Sequence, residues 1–473
     1  MAKQGTRWRL LMLAIGFSLI ATACGSDSGT DSGTSDPGAT TTTAGDTTAT
    51  TAGNVAQSSD ESEVPEGRTV LNLATHSGGN PAELEAIQGF INDYNESQDE
   101  FWILYEAFPQ GDYNETVVAL ALTDSLPCII DVDGPNTPNW AWAGYLAPLT
   151  IDPATEASLL DSVKGYWDGE LYSVGQFDAA IAVLARHSDL DELGLRTPTV
   201  EDPWTGDEFQ AALDAYKDSG KYDFAIDFGT GWTGEWFPYG FSPLLQSFGG
   251  DLIDRSNFVE AEGVLNGPEA VAWGEWWQSM FQDGYAPRLP ANRDEGFAQA
   301  GLDGYEGETY GLQWNGIWAA NSAIENLGDD AAFLPAPDFG AGAKIGGASW
   351  QWAVAATCEH PEAASAYIES TLTPENIGAI SDAQNVLPGR EEARPLTTKF
   401  VDGAPLAIFY EISADQALIR PPTPAYTTIA SVFEKGAADI ADGADVQSTL
   451  DRMVDEIEAD IEANDGYGFP LDG

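Results

Sequence analysis

Basic residues are scarce in this sequence: 19 Lys and Arg stand against 76 Asp and Glu, a formal net charge of −57 over 473 residues. So negative a chain repels nucleic acid and anionic lipid surfaces, and neither is an expected partner. Histidine is nearly absent. His76, His187 and His360 lie far apart, with no H-E-x-x-H pair, so no metal site is expected. There is no G-x-S-x-G elbow and no G-x-x-x-x-G-K phosphate loop. Beyond the N-terminal region, no apolar run approaches the ~20 residues of a spanning helix. Cysteine is limited to Cys24, Cys128 and Cys358, enough for at most one internal disulfide in an exported protein. The acids are spread along the chain, as on a solvated surface suited to saline surroundings, rather than gathered into a cation-binding tail.

What is present begins with "LMLAIGFSLIATACGSDSG". Lys3, Arg7 and Arg9 precede an uncharged run, Leu10 to Ile20, too short to span a membrane and of the length of a secretory signal core. Ala21, Thr22 and Ala23 then lead to Cys24, a pattern that resembles the lipobox of bacterial lipoproteins, with Ala21 where leucine is usual. The resemblance implies removal of residues 1–23 and lipidation of Cys24; a plain secretory signal with a chance cysteine is the alternative. Residues 24–67 are Gly, Ser, Thr, Asp and Ala with almost nothing apolar to bury, which predicts a disordered tether. About four hundred residues follow, enough for two lobes.

Along that body, "RTVLNLATHSGG", "FWILYEAF" and "PCIIDVDGP" read as strands separated by helices in "PAELEAIQGFINDYNE" and "YNETVVALALTDS". This β-α-β-α-β rhythm implies a parallel sheet, with ligands beyond the strands' carboxyl ends. Those ends carry His76, Ser77 and Gly78, then Asp131, Asp133, Gly134 and Asn136. Further on come a helix ended by Gly220, the strand "YDFAIDF", the helix "PEAVAWGEWWQSMFQDG", the strand "ASWQWAVAATC" and an acidic helical tail from Thr427 to Ala463.

In this order, "SLPCIIDVDGPNTPNWAWAGYLAPL", "GELYSVGQFDAAIAVLARHSDLDELGL", "LLQSFGGDLID", "LNGPEAVAW", "GETYGLQWNGIWAANSA" and "HPEAASAYIESTLTPEN" resemble the extracellular solute-binding proteins of family 1, the sugar receptors of ABC importers, to which maltose-binding protein belongs. The resemblance covers about residues 68–463. It implies an α/β, two-lobed periplasmic-binding-protein type II fold, with lobes at 68–180 plus 343–403 and 181–342 plus 404–473. Crossovers are expected near 179–186, 341–345 and 401–407. It also implies an anchored monomer outside the cell membrane, held there through lipid only, that passes sugar or oligosaccharide to permease subunits and needs no cofactor. Cys128, where the family usually has aspartate, and Cys358 fall on neighbouring antiparallel strands of the family fold, which predicts a disulfide between them.

A sugar offers hydroxyl rims and flat C–H faces, so its site needs aromatic planes with planar polar groups. The chain holds 15 Trp against 4 Met, several of them outside apolar helix faces. Trp318 matches the family's Asn-Gly-Pro-Trp stacking tryptophan, and Tyr239 matches a cleft tyrosine of maltose-binding protein. Trp232, Trp236, Gln176, Phe177, Trp350, Gln351 and Tyr426 complete the aromatic and polar candidates, beside His76, Ser77, Gly78, Asp133 and Asn136. Packing is the alternative for each aromatic.

Two rival chemistries are weighed against this one. Asp131 and Asp133, two apart on one strand, share a side, whereas glycoside hydrolysis needs carboxyls flanking the bond. "GTGWTG", Gly229 to Gly234, fits a dinucleotide glycine pattern, but the stretch before Asp251 and Asp254 carries Pro238 and Pro243 and lacks a second strand. A receptor for another solute such as a polyamine, and a secreted lipoprotein glycosidase, remain the alternatives to a sugar receptor.

Overall fold

The computed structural model describes residues 57–288 and 309–471; the signal region, Cys24 and most of the expected tether lie outside them. Thr69–Thr75 (β1), Phe101–Ala107 (β2) and Ile129–Asp133 (β3) run parallel with β1 in the middle. Pro81–Ser97 (α1) and Gln110–Ala121 (α2) link them. Asn80 caps α1 by accepting the Glu83 amide, and Pro81 takes the first helical position, where a missing N–H costs no hydrogen bond. Leu84, Ile87, Phe90 and Ile91 form its buried stripe. All five residues of β3 are buried, as expected for a central strand covered on both faces.

After Glu170–Val174 (β4) the chain crosses to the second lobe, where Ile181–Arg186 (β5) enters a new sheet. Gly206–Ser219 (α3) opens on a Thr205–Glu208 capping box and closes at left-handed Gly220. Phe224–Asp227 (β6), Trp236–Phe248 (α4), Pro268–Gln282 (α5), Tyr310–Gly316 (β7) and Ala331–Leu334 (β8) follow. The strand order is β6-β7-β5-β8, with only β6 and β7 parallel.

The return passes through Ile345–Gly347 (β9) into Trp350–Ala355 (β10), which lies antiparallel to both β3 and β4. The first sheet is therefore mixed, not parallel as the rhythm implied. Its parallel part is limited to β1–β3 because β10 arrives from the other lobe rather than by a local helix crossover. Ala417–Ile419 (β11) later runs parallel to β9, laying two connecting segments side by side. The acidic tail is two helices, Tyr426–Ala441 (α6) and Val446–Ala463 (α7), split by Gly443 at φ 99°.

One large buried apolar cluster surrounds the second sheet, with Phe241, Trp277, Trp314 and Phe433; smaller ones flank the first, with Ile103, Val174 and Tyr367 on one side and Tyr113 and Trp140 on the other. Leu387 and Phe400 belong to the large cluster, so part of the stretch assigned to the first lobe up to 403 packs on the second. The tether also ends earlier than composition implied. Gln57–Ser58 pairs with the edge of β2, and Ser59 trades backbone and hydroxyl hydrogen bonds with Tyr105. Edge pairing uses backbone groups, which composition does not report.

Pro238 and Pro243 do not break α4. Pro238 sits in the first turn, where no intrahelical donor is needed. Pro243 offers no N–H to the Tyr239 carbonyl, and on that side Gly346 of β9 approaches so closely that a Cβ would lie 2.3 Å from the carbonyl oxygen. "GTGWTG" thus does precede a helix, yet no strand follows before Asp251, and the Gly234 amide donates to the Glu434 carboxylate, where a phosphate would compete with an acid. Cys128 and Cys358 are joined across the β3–β10 edge with Cα atoms 4.6 Å apart. Among the described residues no helix is long and apolar enough to cross a membrane, and no three His, Cys, Asp or Glu gather as metal ligands.

Candidate functional site

The carboxyl ends of β1 and β3 meet the start of β10 and face α4 of the second lobe across a cleft. It encloses about 870 Å³, solvent mouth included. That size suits a small ligand.

On the first-lobe side, buried His76 lies between two acids, Nδ1 2.9 Å from Asp131 and Nε2 3.4 Å from Glu83. Burial alone would depress the imidazole, but Glu83 and Asp131 outweigh it and lift the ring to about 10. The charged ring stacks on Trp350, which lines the cleft. Thr75 donates 2.6 Å to the same Asp131 oxygen, so this carboxylate serves the wall.

At the meeting of the lobes sits Arg420, 4% exposed. It donates through Nη2 to Asp133 Oδ1 at 3.2 Å and through Nη1 to Oδ2 at 3.3 Å, a two-pronged grip. Nη1 also reaches Glu235 at 2.6 Å, and Nη2 reaches the carbonyl of left-handed Ala348 at 3.2 Å. The Tyr426 hydroxyl donates to Glu235 at 2.6 Å. Burial raises the Glu235 carboxyl to about 7, against the pull of Arg420 and with the push of Asp133's charge.

The second-lobe wall is aromatic. Trp318 lies 6.0 Å from Trp236 and 6.2 Å from Tyr239, centroid to centroid, and all three line the cleft. The buried Tyr239 hydroxyl makes no hydrogen bond among the described residues. Opposite stand Asn80, Glu83, Gln110 and Asp133. The second-lobe wall supplies flat faces, and the first-lobe wall supplies hydrogen-bonding groups beside the rings of Trp350 and Phe177.

Residues 89–407 match the family model described as bacterial extracellular solute-binding protein. The chain belongs to this family. The diacetylchitobiose binding protein DasA of Streptomyces coelicolor is 25% identical to this solute-binding protein over 274 residues, 56% of this chain and 61% of that one. An uncharacterized lipoprotein of Streptomyces antibioticus is 24% identical over 66% of this chain and 69% of its own. Among solved structures, the cyclic alpha-maltosyl-1,6-maltose binding protein of Arthrobacter globiformis shares the fold at a TM-score of 0.67 and 22% identity, covering 84% of this chain and all (100%) of that one. An ABC substrate-binding protein of Listeria monocytogenes, solved with cycloalternan, has a TM-score of 0.69 at 15% identity over 84% of this chain and 99% of its own.

In this solute-binding protein, His76, Asp133, Phe177, Trp236, Tyr239, Trp318 and Trp350 all face the one cleft. Other candidates sit behind its wall. Gln176 donates to the Thr371 carbonyl and accepts from Trp352, and Gln351 is held by Ser173 and the Ser162 carbonyl. Ser77 shares a hydrogen bond with Thr75, Asn136 is buried in a turn, and Tyr426 is buried beneath Glu235. Gly78 packs on the Phe108 backbone, where a Cβ would fall 2.6 Å from the carbonyl carbon. Trp232 stands behind Trp236 at 5.0 Å, edge to face. Their polar or flat groups are used in packing, which residue type alone does not disclose.

Sequence reasoning passed over Arg420 and Glu235, with Asn80, Glu83 and Gln110. A signal for Arg420 existed: a cation within "ALIRPPTP", in a chain with so few, is out of place unless acids surround it.

Proposed function

We propose that this chain is the extracytoplasmic substrate-binding lipoprotein of an ABC importer, capturing a sugar or oligosaccharide as its two lobes close and delivering it to permease subunits. The observation that carries the reading is the cleft itself: Trp236, Tyr239 and Trp318 on one wall face Asn80, Glu83, Gln110 and Asp133 on the other. A ring between them stacks on one side and hydrogen-bonds on the other, and both sets engage only when the lobes meet. Tyr239 lines the cleft, while its hydroxyl is buried. The names of the relatives, which bind diacetylchitobiose and a cyclic maltosyl-maltose, support the class of ligand. In this reading the lobes divide near the expected limits, the protein acts as a monomer, and Cys24 carries the lipid.

A glycosidase has one observation in its favour: Asp133 and Glu235 oppose each other across the cleft, and Glu235 is raised to about 7. The Arg420 guanidinium occupies the space between them, where the scissile bond would have to lie. A thermal-shift screen against mono-, di- and oligosaccharides plus polyamines tests the proposal. Stabilisation by one sugar class, with the sugar recovered intact, is expected; stabilisation by polyamines alone, or release of cleaved sugar, would replace it.

A further inference from the structure

We propose that Arg420 is a positioning residue that ties the two lobes together and sets the resting closure of the cleft before any ligand arrives. The inference rests on the two-lobed reading above but not on which solute is bound.

Asp133 ends β3 in the first lobe, Glu235 immediately precedes α4 in the second, and Arg420 directly follows β11, one of the two paired connecting segments. One guanidinium therefore gathers a carboxylate from each lobe at the seam about which they turn. Rotation of a lobe moves one acid and leaves the other. The guanidinium cannot follow both, so the double contact belongs to the approached arrangement alone.

The charges do not balance. Two carboxylates meet one cation; the side chains of Asp133 and Arg420 are 8% and 3% exposed, and that of Glu235, at the seam's rim, 26%. The surplus negative charge opposes closure, and a proton on Glu235 removes it. The groups facing Glu235 are Arg420, Asp133, the Tyr426 hydroxyl and, through the neighbouring Gly234 amide, Glu434; buried Asp178 lies within the field of Arg420. In an opened cleft Glu235 returns to water and to an ordinary carboxyl value of about 4.3. The approached form thus holds the proton more tightly. The support for closure is full below about 4.3, shrinks as pH rises from there, and is gone above about 7.

Hydrogen exchange followed by mass spectrometry on the full chain, without sugar, tests this. Amides of 133–137 and 232–237, corrected for intrinsic exchange, are expected to exchange on the order of tenfold more slowly at low than at high pH across the Glu235 transition. Glu235→Gln should flatten that profile while amides of β1 and β7 stay protected. Arg420→Gln should speed cleft exchange on both sides of the transition. A flat wild-type profile, or an unchanged slope in Glu235→Gln, would overturn the tie. Loss of β1 and β7 protection in Glu235→Gln would overturn it as well, by making Glu235 a folding residue. Because no sugar is present, failure of the sugar assignment leaves this result readable.

Discussion

Trp350 lies flat on His76, ring centroids 3.7 Å apart and planes 8° from parallel. The ring beneath the indole is charged, held so by Asp131 and Glu83, and it fixes Trp350 at the cleft wall. A folded value of about 10 exceeds the ordinary histidine value of 6.5, so the contribution of His76 to stability is fully present below pH 6.5 and is lost as pH rises toward 10. Urea unfolding of wild type and His76→Asn should show a stability difference that is constant in acid and shrinks between those limits. A difference independent of pH would mean that His76 is neutral in the folded protein.

Trp318 should carry affinity rather than stability, since it is only partly buried and faces the cleft. Removing a central stacking ring costs ~2–4 kcal/mol of binding, on the order of 30- to 1,000-fold. Titration calorimetry of Trp318→Ala with whichever sugar the screen identifies should show that loss, with an apo melting temperature close to wild type. Near-normal affinity with a large drop in melting temperature would assign the ring to packing.

Cys24 should be the attachment point of the membrane anchor. The Cys24→Ser protein is expected in the soluble fraction after cell disruption, where the parent sediments with membranes. Retention of the variant in the membrane fraction would show that another segment holds it.

Cys128 and Cys358 should resist alkylation in the unfolded, unreduced protein, as mass spectrometry of the labelled peptides can read. The bond closes a loop spanning 230 residues, for which the chain-entropy relation gives about 5 kcal/mol as an upper figure, so reduction should lower the melting temperature. Labelling of both thiols would exclude the bond.

The family and most strands were legible because burial leaves periodic traces: alternation over β1, the helical stripe of α1, the capping box and glycine stop of α3. Less was legible where local rules yield to long-range partners. Pro243 reads as a breaker, yet α4 continues through it, packed against Gly346 some hundred residues away in sequence. The Gln57–Ser58 strand has a tether's composition and gains its order from the edge of β2.

Sequence by itself determined the acidic character, the aromatic supply and the ordered motifs of a solute-binding protein, because these depend on residue type and spacing. Only the tertiary structure decided which polar groups reach the cleft. Gln176 and Gln351 had the appropriate chemistry but are used by neighbours inside the first lobe, whereas Arg420, Asp133 and Glu235, from three distant segments, converge on one point. A side chain's availability to a ligand is what remains after its internal hydrogen bonds are made, and those partners are set by the packing of the whole chain.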